Sequence, residues 1–293
     1  MKEGCVPLRI AVNPTTIESA PLFVAGQMLA GDVELVAGKI PRLLDGSADA
    51  ATNAETQALL FSLERPDIRI VLTVSECGYR IVAPRSSGIR APADLRGKRV
   101  GTLRHTSSHF YVVKTLRAAG LSEADAAIVP VTIEDMPTAL GRGDIDALSI
   151  WEPVAEAAVN ALAGEVTILE APELFRERFN LNTTAAVLCD AVKRPALVSF
   201  VRTLIEAARR VREQPSAAWP LLSRHINLAE STIERLWRQF RFPAALPSDL
   251  LPLLIEEEQW LAASQGRRPR ADAALAGLID DSILREAQRL AGR

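Results

Sequence analysis

The chain has 293 residues, of which 48% are hydrophobic, and its formal net charge is −2. This length and hydrophobic content allow one large or two medium domains with a substantial core, and the nearly balanced charge gives no reason to expect nucleic acid or an anionic membrane surface as a partner. No apolar run reaches about 20 residues, the length that a transmembrane helix needs.

The cysteines and histidines are scattered. Cys5, Cys77 and Cys189 show no CxxC spacing, so we expect no disulfide framework, no metal knuckle and no cofactor. The N-terminal segment lacks the apolar centre of a signal peptide. The chain is therefore expected to be cytoplasmic if Met1 is its native start, and periplasmic or otherwise extracytoplasmic if an export signal has been removed.

The first 83 residues alternate between strand and helix patterns. Apolar and β-branched runs predict strands over 8–12, 33–36, 48–52, 68–75 and 80–83, and a helical period predicts helices over 20–30, 40–45 and 55–63. The segment 84–92 (PRSSGIRAP) then forms a connector rich in Pro, Ser and Gly. We predict a change of domain there.

A second alternating series follows the connector. Its predicted strands are 98–103, 127–131, 145–150 and 166–169, and its predicted helices are 107–119, 134–141 and 155–163, with a helical turn at 173–179. Gly141 and Gly143 are expected to end the second of these helices.

The last part of the chain is predicted to be helical. After a strand at 183–189, helices are expected over 195–213, 215–225, 229–241, 248–264 and 273–291. Helices with no strands of their own must pack on a sheet that is already formed, so we predict a discontinuous first lobe of 1–86 plus 187–293, a second lobe of 87–186, and a ligand cleft between them.

The stretch 96–121 carries the strongest functional signal. It predicts a strand, a polar turn and a helix, with Thr106 or Ser107 as the N-cap. Free backbone N–H groups, the helix dipole, hydroxyls and the nearby Arg104 would suit an anion. The alternative is that these residues only cap the helix.

Five segments resemble one known family, the solute-binding components of ABC importers for nitrate, aliphatic sulfonates, taurine and thiamine-precursor pyrimidines. The segments are RIAVNPTTIESAPLFVA, GSADAATNAETQALLFSLERPDIRIVLTVS, ADLRGKRVGTLRHTSSHF, VTIEDMPTALGRGDIDALSIWEPV and RPALVSFVRTLIEA. The resemblance covers the chain in order. It implies an α/β, two-lobed, type II periplasmic-binding-protein-like fold with a discontinuous first lobe and a helical C-terminal tail. It also implies an ABC permease and ATPase as partners, a monomer, and hinge closure on a small ligand.

The same resemblance implies a pocket formed by loops that follow the strands. Carried over to this sequence, the ligand-binding residues are Thr15, Thr16, Glu18, Gly38, Asn53, Glu55, Thr56, Ser75, Glu76, Arg104, His105, Thr106, Ser107, Ser108, Trp151 and Glu152. Hydroxyls and helix N-termini would bind a polar head, and Trp151 would cover an apolar part.

The glutamates leave two ligand classes open. Glu18, Glu55, Glu76 and Glu152 lie in or beside the expected pocket loops, which a simple oxyanion site does not need. A sulfonate or another oxyanion is one expectation, and an amine or a nitrogen heterocycle such as a pyrimidine precursor is the other.

An enzyme on the same scaffold, acting on a small sulfur- or nitrogen-containing substrate, is the alternative function. A desulfinase of similar fold carries a cysteine after its first strand, whereas this loop is Asn-Pro-Thr-Thr. A Cys77, His105 and Arg104 arrangement is conceivable, and His105 and His109 have metal-ligand spacing without a third ligand. A binding protein without catalytic residues or a bound metal is the favoured expectation.

Overall fold

The computed structural model describes residues 7–29 and 31–291. These residues divide into two compact units: the first contains the residues up to Glu76 and those from Arg178 onward, and the second is Cys77–Glu177. The sequence placed both crossings later, at 86–87 and 186–187. In the structure the crossings fall inside two long strands rather than in the Pro and Gly rich connector.

Two sheets contain the strands of the described residues. In chain order the strands are Leu8–Val12 (β1), Val33–Ala37 (β2), Ala50–Ala54 (β3), Ile68–Gly78 (β4), Arg80–Pro84 (β5), Arg99–Thr102 (β6), Ala127–Pro130 (β7), Ala147–Ser149 (β8), Val166–Glu170 (β9), Arg176–Thr184 (β10) and Phe240–Arg241 (β11). One sheet has the order β11-β4-β10-β3-β1-β2 and the other has the order β7-β6-β8-β5-β9. The predicted α/β class is confirmed.

Helices cover the strands. Those of the described residues are Ala20–Met28 (α1), Pro41–Leu44 (α2), Glu55–Phe61 (α3), Ser107–Ala118 (α4), Met136–Arg142 (α5), Val154–Ala161 (α6), Ala185–Cys189 (α7), Lys193–Glu213 (α8), Pro215–Ile226 (α9), Glu230–Leu236 (α10), Leu250–Ser264 (α11), Asp272–Ala276 (α12) and Ser282–Ala291 (α13). None of these helices has the length and apolar character required to cross a bilayer.

The core of the first unit forms where α8 packs on α1, α13 and β1. The apolar residues of α8 recur every three or four positions, at Leu197, Val201, Leu204, Ala208 and Val211, and all are buried. This spacing places them on one face of the helix. It is the pattern that predicted a helix over 195–213.

The strands of the first sheet place several loops at one edge. β1 runs parallel to β2 and β3, while β10 is antiparallel to β3. The Asp67 carbonyl accepts from Ala185 N (2.8 Å) and Thr73 Oγ1 donates to Asn180 Oδ1 (2.7 Å), so β4 also runs in the direction of β3. The carboxyl ends of β1, β2, β3 and β4 therefore share an edge, where open α/β sheets bind ligands.

The second unit is built around its own sheet. β6 pairs in parallel with β7 and β8, and β5 is antiparallel to β8 and β9. Val82, Leu140, Leu148 and Ile150 form part of its buried core. Gly143 has φ 75° and ψ 22° and ends α5, as predicted, because glycine accepts this left-handed conformation without a steric penalty.

Four predicted segments differ from the structure. The residues 173–179 are mostly strand rather than a helical turn, and 185–189 are helical rather than strand, because β10 is Arg176–Thr184. The predicted helix 229–241 ends early, and Phe240–Arg241 joins the first sheet beside β4. The long helix predicted over 273–291 is two helices, α12 and α13. The predicted end of α1 at Ala30 lies outside the described residues.

Glu258, on α11, forms ion pairs with two arginines of the segment that follows this helix. Its side chain is 1% exposed, and its carboxylate accepts from Arg267 Nη1 (2.5 Å) and Arg270 Nη2 (2.9 Å). Arg270 also donates to the Leu59 carbonyl (3.0 Å), at the end of α3. Burial alone would raise the pKa of Glu258, but hydrogen bonds from both arginines outweigh it and lower the pKa to about 2.

We expect Glu258→Gln to lower the free energy of unfolding at neutral pH by about 1–3 kcal/mol, since two partly exposed guanidiniums lose their carboxylate. Because the folded pKa is depressed, the wild-type contribution is present above the ordinary value of 4.5 and is lost as the pH falls towards about 2. Urea unfolding at several pH values measures this. The exposed Glu64→Gln is the matched control, and an acid profile unchanged by Glu258→Gln would contradict the assignment.

Candidate functional site

The loop after β1 holds a buried hydroxyl. Thr16 is the N-cap of the turn Ile17–Ser19 that leads into α1, and its side chain is almost completely buried. Thr16 Oγ1 has no hydrogen-bond partner among the described residues. A buried polar atom without a partner costs stability unless a ligand or water satisfies it. Thr16 is therefore a candidate contact at this loop.

The neighbours of Thr16 are held by local hydrogen bonds. Thr15 is exposed, and both its N–H and its hydroxyl donate to Asn13 Oδ1, at 3.2 and 2.9 Å. Ser75, near the end of β4, donates its hydroxyl to the Glu18 carbonyl (3.1 Å). The predicted residues Thr16, Glu18 and Ser75 are therefore brought together at the carboxyl edge of the first sheet, with the Glu18 side chain buried.

The end of β3 contributes a buried carboxyl. Asn53, Glu55 and Thr56 are all buried, and Glu55 Oε2 accepts from the backbone N–H of Arg178 (2.6 Å). Burial raises the pKa of Glu55, and hydrogen bonds from Glu257 and from the Arg178 backbone only partly offset it. Glu55 is thus fixed between α3, β10 and α11, as part of the wall of this edge.

Glu76 and Gly38 lie at the same edge. The Glu76 carboxylate is 3.7 Å from Arg178 Nε, while Arg178 Nη2 donates to Asp249 Oδ2 (2.6 Å). Gly38 follows β2, and its N–H donates to the Val12 carbonyl at the end of β1 (2.9 Å). The predicted residues of the first unit therefore occupy neighbouring strand ends.

The hydroxyl cluster of the second unit begins α4. Thr106 is the N-cap, and its hydroxyl donates to the Leu103 carbonyl (2.7 Å). The Ser108 hydroxyl shares hydrogen bonds of 2.9 Å with both Thr102 and Thr106. Ser107 is buried and is the first residue of the helix. These contacts order the start of α4, so part of the predicted anion site serves local structure.

Arg104 and His105 are placed differently from the hydroxyls. Arg104 is exposed and donates from Nη2 to the Ile128 carbonyl (2.9 Å). Burial lowers the pKa of His105, and the nearby His109 and Arg104 lower it further. His109 Nε2 lies 3.1 Å from Glu123 Oε1. Within residues 7–29 and 31–291, no three His, Cys, Asp or Glu side chains converge as a metal site would require.

Ser149 is a candidate that sequence reasoning missed. It is the last residue of β8, and the pairing of Gly101 with Leu148 places it beside Thr102 on the neighbouring strand. Ser149 is completely buried, and its hydroxyl has no partner in the described part of the chain. Its position at a strand's carboxyl end, two residues before Trp151, is the signal that could have identified it.

Trp151 and Glu152 have structural contacts. Trp151 is half-buried and packs against the core of the second unit. Glu152 Oε1 accepts from Arg80 Nε (2.6 Å) and Oε2 accepts from the Glu156 backbone N–H (3.0 Å). Arg80 also binds Glu156 Oε2 (2.7 Å). Both Glu152 oxygens are engaged inside this unit, so its predicted role in ligand binding rests on the resemblance alone.

The chain resembles solute-binding proteins in sequence. It is 30% identical over 158 residues to a protein of Escherichia coli (strain K12) provisionally named as an aliphatic sulfonates-binding protein, a match that covers 52% of this chain and 47% of that protein. It is 24% identical over 253 residues to the taurine-binding periplasmic protein of the same organism, covering 85% of this chain and 72% of that protein. For the first of these relatives, the match spans about half of the relative's length.

The fold is shared with solved structures. The crystal structure of the periplasmic aliphatic sulphonate binding protein from Escherichia coli matches with a TM-score of 0.80 at 21% identity, covering 93% of this chain and 92% of that one. The predicted periplasmic-binding-protein fold is therefore confirmed. The family described as NMT1/THI5 like matches residues 32–218, which is more than half of the chain. The chain belongs to the NMT1/THI5 like family.

Proposed function

We propose that the chain is the solute-binding component of an ABC importer and captures a small polar ligand. The observation that carries the proposal is a pair of buried hydroxyls, Thr16 Oγ1 in the first unit and Ser149 Oγ in the second, that have no partner among the described residues. Each lies at the carboxyl edge of parallel strands. Such edges are the usual ligand positions of open α/β sheets.

Each hydroxyl, within its own unit, would suit a ligand group that accepts hydrogen bonds. A hydroxyl can donate to the oxygen of a sulfonate, and the start of α4 adds the positive end of a helix dipole. The names of the relatives refer to sulfonates and taurine. We therefore propose a ligand that carries a sulfonate or another oxyanion. A nitrogen heterocycle is the second class, which the buried Glu18 would suit.

The proposed partners are an ABC permease and its ATPase. One relative is named as a periplasmic protein, and a solute-binding component must meet its permease outside the cytoplasm. We propose an extracytoplasmic location and a monomeric protein. Protease accessibility in intact cells and light scattering of the purified protein measure these two properties.

Thermal-shift screening tests the proposed function. A ligand that binds only the folded state raises the melting temperature by mass action. We expect at least one member of a panel of alkanesulfonates, taurine, nitrate, pyrimidines and aromatic acids to stabilise the protein. If no member does so while a turnover assay yields product, the enzyme alternative replaces the binding function.

We expect Thr16→Val and Ser149→Ala each to weaken binding of the stabilising ligand about tenfold, the loss expected for one hydrogen bond of about 1.4 kcal/mol. Calorimetric titration measures the affinity. Thr203→Val is the matched control, since this threonine lies on α8 and donates to the Ser199 carbonyl (3.2 Å). Unchanged affinity in both variants would remove the hydroxyls from the site.

Two expectations from the resemblance remain predictions. Arg104→Ala tests whether the exposed guanidinium contacts the ligand, because a ligand contact would be lost while the fold is kept. Hinge closure remains a prediction too, and small-angle X-ray scattering with and without ligand measures it.

A further inference from the structure

A basic groove lies between the first turn of α8 and one face of α13. Its volume is about 670 Å³, and it is lined by Arg194, Ser282, Arg285, Gln288 and Arg289. This volume is within the usual range of small-molecule sites. All five side chains carry hydrogen-bond donors and none is acidic.

The groove is distinct from the candidate ligand site. Lys193 at the start of α8 forms an ion pair with Asp49 (2.8 Å), the residue that precedes β3. The start of α8 is thus at the amino edge of the first sheet, whereas Asn53 and Glu55 mark its carboxyl edge. The groove and the buried Thr16 hydroxyl are therefore at opposite edges of this sheet.

The guanidiniums of the groove are only partly neutralised. Arg194 Nη2 binds Glu286 (2.9 Å) and Arg285 Nη2 binds Asp281 (2.9 Å). Arg289 makes no ion pair or hydrogen bond with the residues that the structure describes. Three guanidiniums therefore face two carboxylates.

Two other carboxylates near the groove, those of Asp190 and Asp280, accept hydrogen bonds from backbone N–H groups at the starts of helices. Asp190 Oδ1 accepts from the backbone N–H of Lys193 (2.8 Å), and Asp280 Oδ1 accepts from that of Ser282 (2.9 Å). They balance the positive ends of the two helix dipoles. The charged side chains that line the groove itself are therefore all arginines.

We propose that this groove binds a small anion with two or more negative charges, of the diphosphate type. Arginine forks bind phosphate oxygens in pairs. Arg285 and Arg289 are four residues apart on α13, so they project from one face about 6 Å apart along the axis. Arg194 approaches from α8, and its Nη1 lies 3.3 Å from Ser282 Oγ, which closes one end of the groove.

Calorimetric titration of the full chain with inorganic pyrophosphate tests the proposal. We expect saturable binding that weakens with added salt and that falls on the order of tenfold or more in R285A/R289A, which removes two charged donors. R42A/R90A is the matched control, since both arginines are exposed and the charge change is identical. Thr16→Val should leave pyrophosphate binding unchanged, which separates this site from the ligand site.

A second arm identifies the source of the phosphate. Co-sedimentation with phosphatidate vesicles, compared with neutral phosphatidylcholine vesicles, reports on a lipid headgroup, and free pyrophosphate reports on a soluble anion. If the wild type binds pyrophosphate or phosphatidate vesicles and R285A/R289A does not, the proposed anion site in the groove is supported. Binding in neither arm, or equal binding by R285A/R289A and wild type, overturns it.

Discussion

Replacing Arg80 by methionine should lower the free energy of unfolding by about 3–5 kcal/mol, the cost of removing one partner from a buried ion pair. The Arg80 side chain is 6% exposed and the Glu152 side chain is 2% exposed. The guanidinium binds Glu152 at 2.6 Å and Glu156 at 2.7 Å. Methionine fills similar space but leaves both carboxylates without this counter-charge. Chemical denaturation of wild type and variant measures the difference.

Two comparisons separate the charge effect from a packing effect. Arg142→Ala removes an ion pair to Asp144 in which both side chains are more than half exposed, and we expect a loss of only about 0–1 kcal/mol. The triple variant R80M/E152Q/E156Q removes all three charges, so it should recover much of the lost stability. A triple variant as unstable as R80M alone would show that packing, rather than unpaired charge, causes the loss.

The elements that the sequence predicted best have regular apolar spacing. The period of Leu197, Val201 and Leu204 predicted α8, and the β-branched run 68–75 predicted most of β4. Such patterns depend only on neighbours in the chain, so one sequence is sufficient to recognise them.

β10 was missed because its interior positions are polar. Asn180 and Asn182 are completely buried, and a run containing them resembles a loop in sequence. Both side chains have partners on distant strands: Thr73 Oγ1 donates to Asn180 Oδ1, and Asn182 Nδ2 donates to the Ala51 carbonyl (3.2 Å). Only the folded sheet supplies these contacts, so no local pattern could predict the strand.

The sequence predicted which loops form the candidate site, but it did not predict the side-chain contacts within it. The sequence identified the strand ends, including Thr16, but it could not show that Glu152 is bound by Arg80, 72 residues away along the chain. It also did not identify Ser149, because a serine within a strand pattern carries no local signal of ligand binding. Which polar groups are satisfied is a property of the tertiary structure, and the buried hydroxyls of Thr16 and Ser149 became candidates only through that property.

The second large effect concerns the buried carboxyl groups of Glu55 and Glu257. Both side chains are completely buried, and the Glu257 carboxyl lies near enough to Glu55 to influence its pKa. Burial disfavours the charged form of a carboxyl group, so it raises the pKa of Glu55, and the interactions with Glu257 and Arg178 only partly offset this. The pair lies beside Arg178, whose guanidinium is engaged by Asp249. The folded protein therefore retains a proton that the unfolded chain releases.

We expect the free energy of unfolding to fall as the pH rises, by about 1.4 kcal/mol per unit while the folded state holds this extra proton. The contribution is complete below the ordinary value of 4.5 and is lost as the pH passes the raised pKa of Glu55. The double variant E55Q/E257Q keeps amide hydrogen bonds but binds no proton, so its stability should lack this slope. Denaturant unfolding at a series of pH values from 4.5 upward measures both slopes, with Glu64→Gln as the exposed control. Equal slopes for wild type and E55Q/E257Q would show that the pair does not hold a proton in the folded state.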